Sequence, residues 1–429
     1  MKVLKILGVL LVTVLCLGII AFFGFFLLRT VFPVQPEPEI LSAEALFAPQ
    51  EEILPEEEPE EEELPEETAE ELPEESQELL FEETAAEKAA AYLETMTLEE
   101  KLWQLFFLTP DDLTGFPGAT LAGDATKDAL EAMPVGGLCY FAENLIDAEQ
   151  TKALLEGTQS YAKTPLFLAT DEEGGIVSRL GSNENMGVDQ LEAAAVYGTG
   201  DVLALRQAAR TLAEQMRELG FNMDFAPVAD VLLNPDNTEI GSRAYSNIAA
   251  VAGAMSAAMA ETLQQGGITA CLKHFPGHGS TATDSHEGTS VSTRTLEQLQ
   301  AEEFLAFGTG IEKGAKFVMM SHLTNENLSP LPSSLAPETV RLLREGLGFE
   351  GVIITDSLKM GAIVHNYTAA DAAVMAIQAG CDMLLMPNSV EVAYDGLVNA
   401  LLDETLTEAR IDESVLRILT VKYEMGIMQ

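Results

Sequence analysis

The sequence predicts an α/β protein: a single (β/α)8 barrel of the TIM type, preceded by a transmembrane helix and a disordered acidic linker. Eight short apolar runs recur between residues 102 and 387, most with a segment of helical period between neighbours. The runs are apolar throughout, as strands buried on both faces of a parallel sheet are. No GxGxxG or GxxxxGK(S/T) follows any run. That weighs against a doubly wound open sheet, which the same alternation could also build.

In chain order, the first element is residues 1–30. Ile6 to Leu28 carry no charge and are rich in Leu, Val, Ile and Phe. At 1.5 Å per residue a helix of that length crosses a bilayer core of roughly 30 Å. Lys2 and Lys5 precede it, so the positive-inside rule keeps the N-terminus in the cytoplasm. No small-x-small site follows the run, and Val14-Leu15 stand before Cys16 where a lipoprotein signal has small residues. The reading is an uncleaved signal anchor rather than a cleaved signal peptide. It places the protein in the cell membrane, single-pass, with the folded domain on the extracytoplasmic side.

Residues 31–84 form the second element. PEEEPEEEELPEETAEELPEE is typical of it. Such a segment buries too little apolar surface to offset its ordering entropy. Extended, it would reach roughly 150 Å at about 3.1 Å per residue. A spacer and a solubilising tail are equally compatible with it. Residues 85–429 are the folded domain, and no second folded domain is expected after it.

The net charge is −46. Residues 1–30 contribute +3 and residues 31–87 contribute −22, which leaves −27 for residues 88–429. Nucleic acid is excluded as a partner, because a phosphate-binding surface needs clustered Lys and Arg. An acidic domain favours neutral or cationic small substrates. The four cysteines show no CxxC and no regular spacing. Cys139, Cys271 and Cys381 fall in apolar runs and read as buried thiols.

Within the domain, Thr97 to Glu100 form a capping box that opens a helix. The strand candidates are residues 102–109, 136–141, 165–170, 221–228, 269–275, 316–322, 351–356 and 382–387. Helical period runs through segments such as 201–219, 247–265 and 295–312. In a barrel of this kind chemistry collects at the C-terminal strand ends. Those ends carry Asp171, Asp224, Lys273 and His274, His322, and Asp356. Three of the five histidines fall in KHFPGHGSTATDSH, residues 273–286. Metal hydrolysis through His274, His278, Asp284 and His286 is weakened because the first two sit on a Pro-Gly turn, not on one helix face. Glycoside cleavage by a carboxylate nucleophile with a separate proton donor is the second reading. The third is a polar loop of capped turns, which suits His278 best.

Four motifs narrow the choice. TDEEGGIVSRL, FAPVADVLLNPDNTEIGSRAYS, KHFPGHGSTATDSH and GVIITDSLKM occur in this order. Together they resemble glycoside hydrolase family three, in its β-N-acetylhexosaminidase branch, over roughly residues 90–429. The resemblance implies the barrel and retaining hydrolysis of terminal, non-reducing β-N-acetylglucosamine. It assigns Asp356 as nucleophile, His286 as acid/base and Asp284 as the dyad partner that orients the imidazole. Histidine suits that double role because its unperturbed pKa lies near neutrality. Asp171, Arg179, Arg243, Lys273 and His274 match residues that bind the sugar. Pro276, Gly277 and Gly279 supply the bend of the loop.

Two positions depart from the family pattern. Glu172 stands where Gln is frequent, which is expected to change charge at the pocket rim. Glu287-Gly288-Thr289 replace a Leu-Pro that often follows the dyad. No cofactor and no metal are implied, since both reacting groups are side chains. The implied partners are a small GlcNAc-containing carbohydrate, of peptidoglycan origin given the outward placement, and the membrane through the N-terminal helix. Phosphorolysis and an anchored, non-catalytic glycan-binding module are the alternatives. Oligomeric state is not legible.

Overall fold

The computed structural model of the protein describes residues 83–281 and 290–429. Its centre is a ring of eight parallel strands. They are β1 (Phe106–Leu108), β2 (Gly137–Cys139), β3 (Phe167–Thr170), β4 (Met223–Asp224), β5 (Thr269–Phe275), β6 (Phe317–Met320), β7 (Val352–Thr355) and β8 (Leu384–Leu385). Each strand pairs with its neighbour in sequence, and β8 returns to pair with β1 at Phe106↔Leu384 and Phe107↔Leu385. A parallel bridge between Ile354 and Met383 links β7 to the entrance of β8 and completes the ring.

All eight expected strands are present, each inside its expected run and most of them shorter. The run at 102–109 divides: its first part ends the helix Leu98–Gln104, and only Phe106–Leu108 is strand. The capping box at Thr97 starts that helix, as expected, and it carries Leu102 and Trp103 into the core. The segment at 295–312 also divides, into helices Leu296–Ala301 and Glu303–Glu312. The break at Glu302 accompanies the burial of Glu303, whose carboxylate takes two hydrogen bonds from Arg294.

Helices return the chain between strands. Val202–Leu219 begins where the Asp201 carboxylate accepts the Ala204 N–H and stops at Gly220, which takes the left-handed φ of 100°. Ala369–Ala379 is bounded in the same way by Thr368 and Gly380. Inside the ring, aromatic rings from non-adjacent strands meet: Phe107 of β1 and Phe225 just after β4 at 5.1 Å, Phe167 of β3 and Phe317 of β6 at 5.0 Å between centroids. The barrel is therefore a packed core and not a pore. Cys139, Cys271 and Cys381 are buried free thiols, as the sequence indicated.

The expected fold class is corrected in its N-terminal part. Among the described residues no helix is long and apolar enough to cross a membrane. The physical reason is that the long helices are amphipathic: Val202–Leu219 buries Leu205, Leu212 and Met216 but also carries Arg206, Arg210 and Arg217. The fold class of the described residues is thus the barrel, with no membrane-spanning helix among them. The transmembrane helix expected at 6–28, and the acidic linker at 31–84 up to residue 82, lie outside the described residues. The membrane as a partner rested on that helix, and nothing among the described residues supports it.

Candidate active site

The C-terminal end of β3 runs into Asp171, Glu172 and Glu173. A tight antiparallel hairpin, Glu172–Gly174 with Val177–Ser178, then turns the chain back. It brings Arg179 beside Asp171, whose carbonyl accepts the Arg179 N–H at 3.3 Å. The Arg179 guanidinium lies 5.6 Å over the Phe141 ring. Glu172 holds this hairpin from below. Its buried carboxyl accepts from the Ser178 hydroxyl and from the N–H groups of Leu180 (2.7 Å) and Gly181 (3.4 Å). Burial pushes its pKa up, against those bonds. Glu172 is therefore a structural acid inside the protein and adds no charge at the pocket rim, contrary to the expectation.

The end of β5 is irregular. Lys273 pairs with Met319 and Phe275 with Met320, so His274 is an extra residue in the ladder. Such a bulge re-aims side chains, and here two consecutive residues serve the same site. The Lys273 ammonium donates to Asp171 Oδ1 at 2.8 Å and contacts Glu173 Oε1 at 2.6 Å. Arg243, from the loop after β4, grips Glu173 through two bonds, Nε to Oε2 at 2.7 Å and Nη2 to Oε1 at 2.8 Å. Burial alone would raise the Glu173 carboxyl; the Lys273 and Arg243 charges overcome it and bring it to about 2. Burial likewise works against the Lys273 ammonium, and Asp171 and Glu173 more than restore it. Both groups stay ionised at neutral pH. The result is a nearly charge-balanced lattice of fixed donors and acceptors, suited to the hydroxyls of a neutral ligand.

His274 is fixed from behind. The Asp230 carboxylate, fully buried, lies 2.8 Å from its Nδ1 and also accepts the N–H groups of His274 and His278. A carboxylate opposite Nδ1 calls for the proton there. Nε2 is then an acceptor, with Arg243 Nη2 at 3.5 Å. His278 itself is buried, with Thr281 Oγ1 3.2 Å from Nδ1 and Glu239 3.4 Å from Nε2. Its surroundings fit a turn-holding role. Gly277 and Gly279 serve the bend by their lack of a side chain. A Cβ on Gly277 (φ +128°) would stand 2.5 Å from Glu303 Cγ, and one on Gly279 2.0 Å from the Val231 carbonyl oxygen.

Asp356 follows β7, half-buried, with its N–H on the Met320 carbonyl (2.8 Å) and its Oδ1 accepting the Ser357 N–H (2.7 Å). The next carbonyl, of Ser357, is fixed by His322 at the end of β6. Nε2 donates to that carbonyl at 2.9 Å, so Nδ1 accepts from the Ser334 hydroxyl at 2.7 Å. Burial keeps this histidine neutral by lowering its pKa. Farther along, Lys359 pairs with both oxygens of Asp112 at 2.6 and 2.7 Å and ties the β7 loop to the β1 loop. Asp171, Asp224, Lys273 and Asp356 stand at or beside the C-terminal ends of β3, β4, β5 and β7, around one end of the barrel.

Of the residues expected from sequence, Asp171, Arg179, Arg243, Lys273 and His274 come together on β3, β4 and β5, and Asp356 stands at the same end on β7. Asp284 and His286 lie outside the described residues. Among the described residues no cluster of His, Cys, Asp and Glu could hold a metal. Sequence reading assigned no role to Glu173, Asp230 or His322. Glu173 and Asp230 lay inside the quoted motifs, and His322 was noted only as a strand-end residue; the signal was there, the partners were not.

A family model described as the glycosyl hydrolase family 3 N-terminal domain matches residues 97–421. A β-hexosaminidase from Stenotrophomonas maltophilia is 34% identical over 279 residues, 64% of this chain and 82% of that protein. The β-hexosaminidase LpqI of Mycobacterium tuberculosis is 37% identical over 310 residues, 69% of this chain and 79% of that protein. Among solved structures, a family 3 β-N-acetylglucosaminidase from a Paenibacillus species superposes with a TM-score of 0.72 at 33% identity. That match covers 77% of this chain and 63% of the Paenibacillus chain.

Proposed function

The chain belongs to glycosyl hydrolase family 3 and is a glycoside hydrolase, and from that premise we propose that it releases terminal, non-reducing β-N-acetylglucosamine with retention, through a covalent glycosyl-enzyme on Asp356. The observation that carries the reading is the lattice of Lys273, Asp171, Glu173 and Arg243, with the His274 Nε2 acceptor, at the barrel end that bears Asp356. It supports one sugar held by its hydroxyls within reach of one carboxylate.

In the first half-reaction the Asp356 carboxylate attacks the anomeric carbon as the glycosidic bond breaks. The leaving oxygen takes a proton from His286, oriented by Asp284. In the second half-reaction His286 removes a proton from water, and the hydroxide so formed displaces Asp356, giving the β-anomer. Lys273 and Arg243 stay charged throughout, so the lattice need not titrate during turnover. The aglycone we assign to this reaction is the MurNAc side of peptidoglycan-derived fragments.

The test is hydrolysis of para-nitrophenyl β-N-acetylglucosaminide, chitobiose and a GlcNAc–MurNAc fragment by the purified protein. Wild type runs beside Asp356→Ala and His286→Ala, with the first-formed anomer read by NMR. Expected are β-GlcNAc as first product, loss of turnover of about 10⁴-fold or more without Asp356, and a large fall without His286. An α-anomer as first product, or full activity in Asp356→Ala, overturns the mechanism. Sugar 1-phosphate formed only with added phosphate would make the enzyme a phosphorylase. Chitobiose cleaved and GlcNAc–MurNAc left intact would remove the peptidoglycan assignment alone.

A further inference from the structure

At the opposite end of the barrel, a cavity of about 210 Å³ is lined by Arg341, Arg344, Arg410 and Arg417. The chain has 11 arginines, so four of them converge on one small space in a strongly acidic protein. The cavity lies between the helical segment 337–346 after β6, the end of helix Ala369–Ala379, and the helix Glu408–Glu424.

Behind it stands Asp382, fully buried. It accepts from Arg344 Nη2 at 2.6 Å, Arg417 Nη1 at 3.0 Å, the Ser414 hydroxyl at 2.7 Å and the Ile353 N–H at 2.9 Å, with Arg410 Nη1 4.0 Å away. Three guanidiniums thus meet one carboxylate, an excess of two positive charges. Their side chains are only 20%, 19% and 29% exposed for Arg344, Arg410 and Arg417. Glu345 and Glu413 also line the cavity, but both are exposed to water and form no ion pair among the described residues. Water screens exposed charges far more than enclosed ones.

The donors are unequally used. Arg344 spends Nη1 on the carbonyls of Phe349 and Gly351. Arg410 gives one bond to Ser414 and one to the Cys381 carbonyl. Arg417 makes one bond, to Asp382, and Arg341 makes no side-chain bond among the described residues. Each guanidinium has five N–H groups. Several therefore remain for a ligand rich in acceptor oxygens. Burial lowers the Arg344 pKa; Asp382 opposes this, and Arg417 and Arg410 add to it, as crowded like charges do.

We propose that this cavity is a binding site for a phosphoryl oxyanion, held by Arg341, Arg410 and Arg417 in front of Asp382. Planar guanidiniums match phosphate geometry in paired bonds. The acidity of the whole domain repels polyanions, but charges farther from the cavity than a screening length of about 8 Å are largely screened, which leaves a small dianion to the arginines at short range. Inorganic phosphate and the phosphate of a small sugar share this chemistry. Bound there, either one ties the last helix to the β6 and β7 connections and stabilises the fold by mass action. This inference does not depend on the proposed hydrolysis.

Isothermal titration of the purified protein with inorganic phosphate, with N-acetylglucosamine 6-phosphate, and with chloride at matched ionic strength tests it. Saturable 1:1 binding of phosphate or sugar phosphate, absent with chloride, is expected, and the tighter of the two identifies the source. Arg417→Gln should weaken it about tenfold, the loss expected for one charge-assisted hydrogen bond. Arg341→Gln, at an exposed position that bonds nothing in the fold, should weaken it several-fold without lowering Tm. Asp356→Ala should bind as wild type does. No binding beyond chloride overturns the proposal. So does binding that both arginine variants keep, or that Asp356→Ala loses, which would place phosphate in the active site.

Discussion

Glu173 is the residue on which the sugar-binding lattice depends, because two cations, Lys273 on β5 and Arg243 in the loop after β4, neutralise it together. Replacing it with Gln leaves Lys273 with Asp171 alone and Arg243 with no carboxylate in its bidentate bond. Breaking a buried pair by removing one partner costs about 3 kcal/mol or more. Glu173→Gln should therefore lower stability by that order in denaturant titration. It should also lower kcat/KM on the nitrophenyl substrate by roughly 10²-fold, since misplacement by about 1 Å is enough for that. The wild-type pair also has a pH signature. The folded pKa of Glu173, about 2, lies below its ordinary 4.5, so its contribution is complete above about 4.5 and is lost as pH falls toward 2. Glu173→Gln should flatten the acid limb of the stability curve over that window. Equal acid limbs in variant and wild type would mean the pair carries no such linkage.

At the scale of elements, the eight strands were legible because each run is apolar throughout, and their order followed from the helices between them. Their ends were not. Leu102 and Trp103 belong to a helix that enters the core directly before β1, and one apolar run cannot show where helix gives way to strand. The site residues at strand ends, Asp171, Lys273 and Asp356, were legible for the same reason as the strands. Asp230 and Glu173 acquire meaning only from partners 44 and 70 residues away, and no local pattern encodes that distance. The loop bend was legible as a turn, but its reason was not: Gly277 is needed because Glu303 of a later helix packs against it. Gly277→Ala should destabilise the protein by about 2 kcal/mol or more, through positive φ and overpacking together. An unchanged denaturation midpoint would show that Glu303 moves aside freely.

At the scale of the whole molecule, the floor of the barrel contains a buried cation without a carboxylate. Lys422 is fully buried, donates to Gln104 Oε1 at 2.8 Å, and sits 5.3 Å from the Phe167 ring centroid. Burial brings its pKa down from 10.5 to about 7. Between pH 7 and 10.5 the unfolded chain binds this proton and the folded one does not, so stability rises with pH across that window. Below about 7 the folded protein carries the desolvated charge at full cost. Lys422→Met should stabilise the protein at pH 6, and that advantage should fall by roughly 4 kcal/mol toward pH 10.5. A gain of equal size at pH 6 and pH 10 would show that packing, not charge, is responsible.

The closure of the ring by β8 on β1 also sets an order of events during synthesis. β1 leaves the ribosome nearly 280 residues before its second partner, which occupies Leu384–Leu385. Until then Phe106 and Phe107 offer an unpaired parallel edge to any other strand nearby. At about 5–20 residues per second, that exposure lasts on the order of 14 to 56 seconds for each nascent chain. A chain stopped before residue 384 never loses it. Nonsense fragments of this protein should therefore be a burden on chaperones quite unlike that of the finished enzyme.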